Sequence, residues 1–89
     1  MKADKQKVGR LLKTAKGQID GILKMIEEDQ YCIDISNQVA AAQAVLRRAN
    51  REILRAHIES CVTDAISGGD PQQAAKKVEE LCSVLDKQV

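Results

Sequence analysis

The only strong helix-breaking cluster in this sequence is Gly68-Gly69-Asp70-Pro71, and the stretch in front of it, from about Gln30 to Ile66, reads as one helix. Its apolar residues Ile35, Val39, Ala42, Leu46, Ala49 and Ile53 recur at alternating steps of four and three. That is a coiled-coil-like seam in which small alanines alternate with larger side chains. Thirty-seven helical residues span about 55 Å at about 1.5 Å each. A compact globule of 89 residues has a radius of gyration of about 12 Å, hence a diameter of roughly 30 Å. No core built by one chain this short covers such a helix. The seam calls for a second copy, most simply an antiparallel one related by a two-fold axis.

The flanking segments are helical as well. From Val8, apolar residues recur at Leu11, Leu12, Ala15, Ile19, Ile22, Leu23 and Ile26, a 3.6-residue stripe of about five turns. Gly17 and Gly21 lie inside it and each costs about 1 kcal/mol of helix propensity, which predicts close backbone approach by a neighbouring helix. The acidic run Glu27-Glu28-Asp29 suits the start of the second helix, with Asp29 as its N-cap. Gly68 and Gly69 supply a left-handed stop, Asp70 caps, and Pro71 opens a third helix through about Lys87. Its apolar side holds Ala74, Ala75, Val78, Leu81 and Leu85. The expected fold is all-α, a single domain over residues 1–89 with three helices, the middle one long. With no Trp, no Phe and one Tyr, the core rests on Leu, Ile, Val and Ala. No apolar run approaches the roughly 20 residues of a membrane span, and residues 1–16 lack the apolar segment of a secretory leader, so a cytoplasmic location is expected.

Three cysteines are an odd number, which disfavours a disulfide scaffold and favours a metal or redox role. His57 and Cys61 stand one turn apart, so imidazole and thiol share a face within about 6 Å. Cys32 is 25 residues upstream, about 37 Å away along the same axis. An antiparallel partner removes that separation: Cys32 of one protomer then lies beside the partner's His57 and the partner's Cys61, with two equivalent sites per dimer. Two thiolates and one imidazole suit Cu(I), whereas a structural zinc ion takes four ligands. The plainer alternative is that the cysteines are small buried hydrophobes and His57 a structural residue. Cys82, within the apolar side of the third helix, reads as core. There is no Ser/His/Asp set and no Gly-rich phosphate loop, so catalysis is not expected.

Net charge is only +1, but it is unevenly placed. Residues 1–16 hold Lys2, Lys5, Lys7, Arg10, Lys13 and Lys16 against Asp4, and the long helix holds Arg47, Arg48, Arg51 and Arg55 against Glu52. Multiplied by symmetry, Lys7, Arg10, Lys13, Lys16, Arg47 and Arg48 can neutralise many phosphates of double-stranded DNA. A solvated helix exterior is the competing reading. No helix-turn-helix or zinc-finger pattern is present.

Gly17-Gln18-Ile19-Asp20-Gly21-Ile22, Met25-Ile26-Glu27-Glu28-Asp29, Tyr31-Cys32 and Asn37-Gln38-Val39-Ala40-Ala41, followed by His57-Ile58-Glu59-Ser60-Cys61-Val62 and Ala65-Ile66 ahead of Gly69-Asp70, resemble the CsoR/RcnR family of bacterial metal-sensing repressors. The likeness runs from about residue 8 to 85, and the Cys, then His-x3-Cys, pattern matches the copper-sensing branch. The resemblance implies a homodimer pairing into a homotetramer that binds operator DNA and releases it with Cu(I). It also implies Cys32, His57 and Cys61 as ligands and Tyr31 in the outer shell. Relatives carry a third-helix glutamate in that shell. Here the aligned position is Lys77, and Glu79 or Glu80 is the carboxylate left to replace it. A sister branch senses persulfides through cysteines equivalent to Cys32 and Cys61, usually without the intervening His. A copper chaperone using the same ligands is a more remote alternative.

Overall fold

The structure is a computed structural model that describes residues 1–88; Val89, the last residue of the expected domain, lies outside the described residues. Three helices follow one another, α1 (Lys5–Glu27), α2 (Cys32–Ile66) and α3 (Pro71–Lys87). Helix α1 starts three residues before its apolar stripe because Asp4 caps it, its carboxylate accepting the backbone N–H groups of Gln6 and Lys7. It ends in a Schellman-type turn in which the Asp29 N–H donates to the Ile26 carbonyl and the Gln30 N–H to the Met25 carbonyl. Asp29 takes the left-handed position there, at φ 51°. The expectation that Asp29 caps α2 is therefore corrected: it closes α1 instead. An aspartate tolerates this conformation better than most residues because its short polar side chain bonds locally. Tyr31 precedes α2 and contributes no side-chain cap.

Helix α2 ends by the same device, built with the residues best suited to it. Gly68 sits at φ +85°, and the Gly69 N–H donates to the Asp64 carbonyl at 3.2 Å. A Cβ on Gly69 would stand 3.0 Å from that carbonyl oxygen, so both glycines are needed for separate reasons. Asp70 then caps α3 by accepting the Gln72 N–H at 3.0 Å, with Pro71 in the first turn. Between Cys32 and Ile66 there is no glycine and no proline, whereas α1 carries Gly9, Gly17 and Gly21.

Helices α1 and α2 pack as an antiparallel hairpin. Val8, Ala15 and Ile22 of α1 and Ala42 and Ala49 of α2 are buried, each series stepping by seven residues. The alanines let the two axes come close. The seam expected as one row on α2 thus divides. Ile35, Ala42 and Ala49 turn to α1, while Val39 and Leu46 stay 40% and 41% exposed on the next flank. Leu12, Ile19 and Leu23 of α1 continue that exposed apolar flank. Helix α3 rests lightly on α2 and buries none of its own residues. Cys82 is exposed, which corrects its reading as core: α3 lacks a covering layer. The radius of gyration is 17.8 Å, well above the roughly 12 Å of a compact chain this long, and the molecule measures 58 × 26 × 13 Å.

Within one protomer the glycine expectation is not met. A Cβ at Gly17 or Gly21 meets nothing within 4 Å, so no helix of the same chain approaches closely there. We expect Gly17→Ala to stabilise the protein by about 1 kcal/mol, a rise in melting temperature of roughly 4–8 °C. A lowered melting temperature would mean that another chain packs against this backbone.

Candidate metal centre

His57 and Cys61 stand one turn apart on the second half of α2, His57 exposed and Cys61 half-buried. Cys32 is the first residue of the same helix and is exposed, as is Tyr31 before it. At about 100° per residue, Cys32, His57 and Cys61 fall within an arc of about 40° on α2, on the flank that carries Val39 and Leu46. One end of the helix presents a single thiol and the other a thiol with an imidazole. Among the described residues no three of His, Cys, Asp and Glu gather closely enough to hold a metal ion. The protomer alone does not bring the expected donors together.

Under the α2–α3 turn, Cys61 borders a pocket of about 410 Å³ together with Asp64 and Lys77. The Lys77 ammonium lies 3.4 Å from the Asp64 carboxylate and ties α3 to the end of α2. Glu80 lies elsewhere, in a depression shared with Lys76 and Glu79. The structure places Lys77, not Glu80, on the Cys61 side of α3. Asp64 was missed in the sequence, where its position three residues after Cys61 was the one available sign.

The basic residues divide between the two flanks. Lys7 is engaged by Glu52 at 3.2 Å across the α1–α2 packing. Arg10 and Lys13 border a shallow depression over Gly9, and Lys16, Arg47 and Arg48 are exposed. By helical rotation Lys7, Arg10 and Arg48 lie on the flank of the hairpin opposite Val39 and Leu46, whereas Lys16 lies nearer the apolar flank. None of the described helices is long and apolar enough to cross a membrane.

A three-helix protomer with soft donors at both ends of one long helix and exposed basic side chains along α1 and α2 has the arrangement of a small helical metal-sensing regulator. Residues 4–87 match the family model described as the metal-sensitive transcriptional repressor, and the chain belongs to that family. It is 43% identical over 74 residues to the copper-sensing transcriptional repressor CsoR of Mycobacterium tuberculosis (strain ATCC 25618 / H37Rv), a match covering 83% of this chain. The chain spans about 60% of the length of that relative. Two solved structures share the fold. The nickel-responsive transcriptional regulator InrS superposes with a TM-score of 0.86 at 30% identity, over 100% of this chain and 97% of that one. The copper-sensing repressor CsoR with Cu(I) from Geobacillus thermodenitrificans NG80-2 gives 0.80 at 34% identity, over 92% and 82%. The family is one of repressors, in line with the expectation that the chain is not an enzyme.

Proposed function

We propose that the protein is a Cu(I)-responsive transcriptional repressor acting in the cytoplasm, a homodimer that pairs into a homotetramer on operator DNA and lets go when Cu(I) binds. The observation that carries this reading is a symmetry within α2. Val39 and Ile53 stand seven residues either side of Leu46. Two copies of α2 running antiparallel about an axis at Leu46 match Val39 with the partner's Ile53 and close the exposed apolar flank. The same axis sets Cys32, fourteen residues before Leu46, opposite the partner's Ser60, between the partner's His57 and the partner's Cys61. The pairing that covers apolar surface thus also assembles the donor set.

The donor chemistry favours Cu(I). Two thiols and an imidazole are soft ligands in low number, and this chain has one His in all, too few for the nitrogen-rich sets that suit nickel. Copper-sensing relatives support the same assignment. Tyr31, next to Cys32, is proposed for the outer shell, where hydrogen bonding orients a ligating His. Glu80 remains the α3 carboxylate proposed for that shell and has to reach it past Lys77. Cu(I) shifts an equilibrium between DNA-binding and released forms only through unequal affinity for the two, commonly about 1–3 kcal/mol. Ligands drawn from two chains supply such inequality, because the metal holds one helix against the other.

The testing experiment is an anaerobic Cu(I) titration of the reduced protein against a chromophoric chelator. We expect one tightly held Cu(I) per protomer, and a loss of affinity of about a hundredfold or more in His57→Ala. Weak binding indifferent to His57 would point instead to sulfur chemistry at Cys32 and Cys61. For DNA, changing Arg10 and Lys13 to Glu is expected to weaken operator binding by more than about a hundredfold near 0.15 M salt, with copper stoichiometry intact. Unchanged DNA affinity in a mobility-shift titration would remove both residues from the interface.

A further inference from the structure

We propose that the cleft between α2 and α3, distinct from the Cys–His–Cys set, binds an amphiphilic anion: a carboxylate, sulfate or phosphate head on an apolar tail. The cleft, open to solvent along one side, offers about 620 Å³, inside the roughly 300–1,000 Å³ range of small-molecule sites. Its floor is made by Leu54 and Ile58 of α2 and Leu85 of α3. Ile58 and Leu85 are 38% and 43% exposed, so apolar surface stands open there. Along the α2 rim run Arg47, Arg51 and Arg55, one turn apart. Arg55 is held by Glu59 at 3.2 Å. Arg47 and Arg51 make no ion pair among the described residues. A hydrogen bond of 2.7 Å from the Asn50 amide to the Gln88 side-chain oxygen joins the two walls.

Charge and shape select the occupant together. Two guanidinium forks side by side match a carboxylate or phosphate with paired hydrogen bonds. A head held there leaves its tail over Leu54, Ile58 and Leu85. A small inorganic anion would leave that floor wet, and an uncharged alkyl chain would leave the arginines unmatched. Arg51, Arg55 and Ile58 lie on the side of α2 away from α1, whereas Asn50 stands one turn from Leu46, so the pairing proposed above meets the cleft at its Asn50 edge and leaves Arg51 and Arg55 outside the dimer seam. Arg47 is also in the proposed DNA set. Occupancy would therefore compete with operator DNA, a consequence that rests on the repressor reading, whereas binding itself does not.

The test uses the full chain without DNA or copper, with dansyl-undecanoate fluorescence as the probe. We expect saturable binding of one probe per protomer below the micellar range, displaced by decanoate and decyl phosphate, and not by inorganic phosphate or decanol at equal concentration. Changing Arg47 and Arg51 together to Ala should weaken binding about tenfold or more, and changing both to Lys should fall between, since charge stays and the fork is lost. Leu85→Ser should weaken it as well, and unchanged far-ultraviolet circular dichroism will show that the variants fold. Equal displacement by decanol would reduce the cleft to an apolar patch, and displacement by phosphate to a plain anion site. Either result, absent saturation, or indifference to the arginine changes overturns the proposal.

Discussion

Mixing a Cys32→Ser chain with a Cys61→Ser chain is expected to restore copper binding that neither variant has alone. Each homodimer of either variant lacks a thiol at both of its sites. In the mixed dimer one site loses both thiols, and the other draws an intact Cys32 from one chain and an intact His57 and Cys61 from its partner. Random exchange makes about half the dimers mixed, so the mixture should hold about one Cu(I) per four protomers against none for either parent. A site built within one chain gives no rescue whatever the mixing ratio. The experiment therefore separates cross-chain from within-chain ligation without any structure of the complex.

Leu46→Asp should dismantle the assembly while leaving every proposed ligand in place. Two-fold symmetry brings the two copies of a residue at the axis against each other, so one substitution buries two like charges. An uncompensated buried charge costs about 3–5 kcal/mol, a large share of the stability of a chain this size. Light scattering at micromolar concentration should then give the mass of one protomer, 9.8 kDa, in place of a multiple of it. Tight copper binding should be lost with the dimer, although Cys32, His57 and Cys61 are untouched. A dimer of unchanged mass would show that the axis does not pass through Leu46.

What the sequence allowed one to read differs from element to element for physical reasons. Helix α3 is found where expected, Pro71–Lys87, because its start is written in side chains: Asp70 to cap and Pro71 to open. The apolar stripe, which begins at Val8, does not mark the start of α1, because Asp4 sets the first turn. Asp29 is ambiguous in the sequence, because one carboxylate suits an N-cap and also tolerates a left-handed C-terminal position. The seam of α2 was legible as a row but not as two. Which of Ala42, Leu46 and Ala49 meets α1 depends on how closely two helices approach, and periodicity alone does not carry that distance. The helical neighbours of Gly17, Gly21 and Cys82 suggest cover for them, but in this protomer no second layer supplies it. For the candidate site, the spacing of His57 and Cys61 and the remoteness of Cys32 were plain. The Asp64–Lys77 pair was not, because it forms across the turn made by Gly68 and Gly69.

An unbroken run of backbone hydrogen bonds from Cys32 to Ile66, with no glycine or proline to yield, makes α2 a stiff beam. A beam passes twist and tilt from one end to the other instead of absorbing them midway. In the proposed antiparallel pair each proposed metal site would clamp the start of one beam to the finish of the other, so both sites would grip the same two beams. On that proposal, seating a first ion at one end would re-aim the donors at the far end. The two sites would then fill as a coupled pair, and the steepness of the binding curve would be a mechanical property of the helix as well as a chemical property of the ligands.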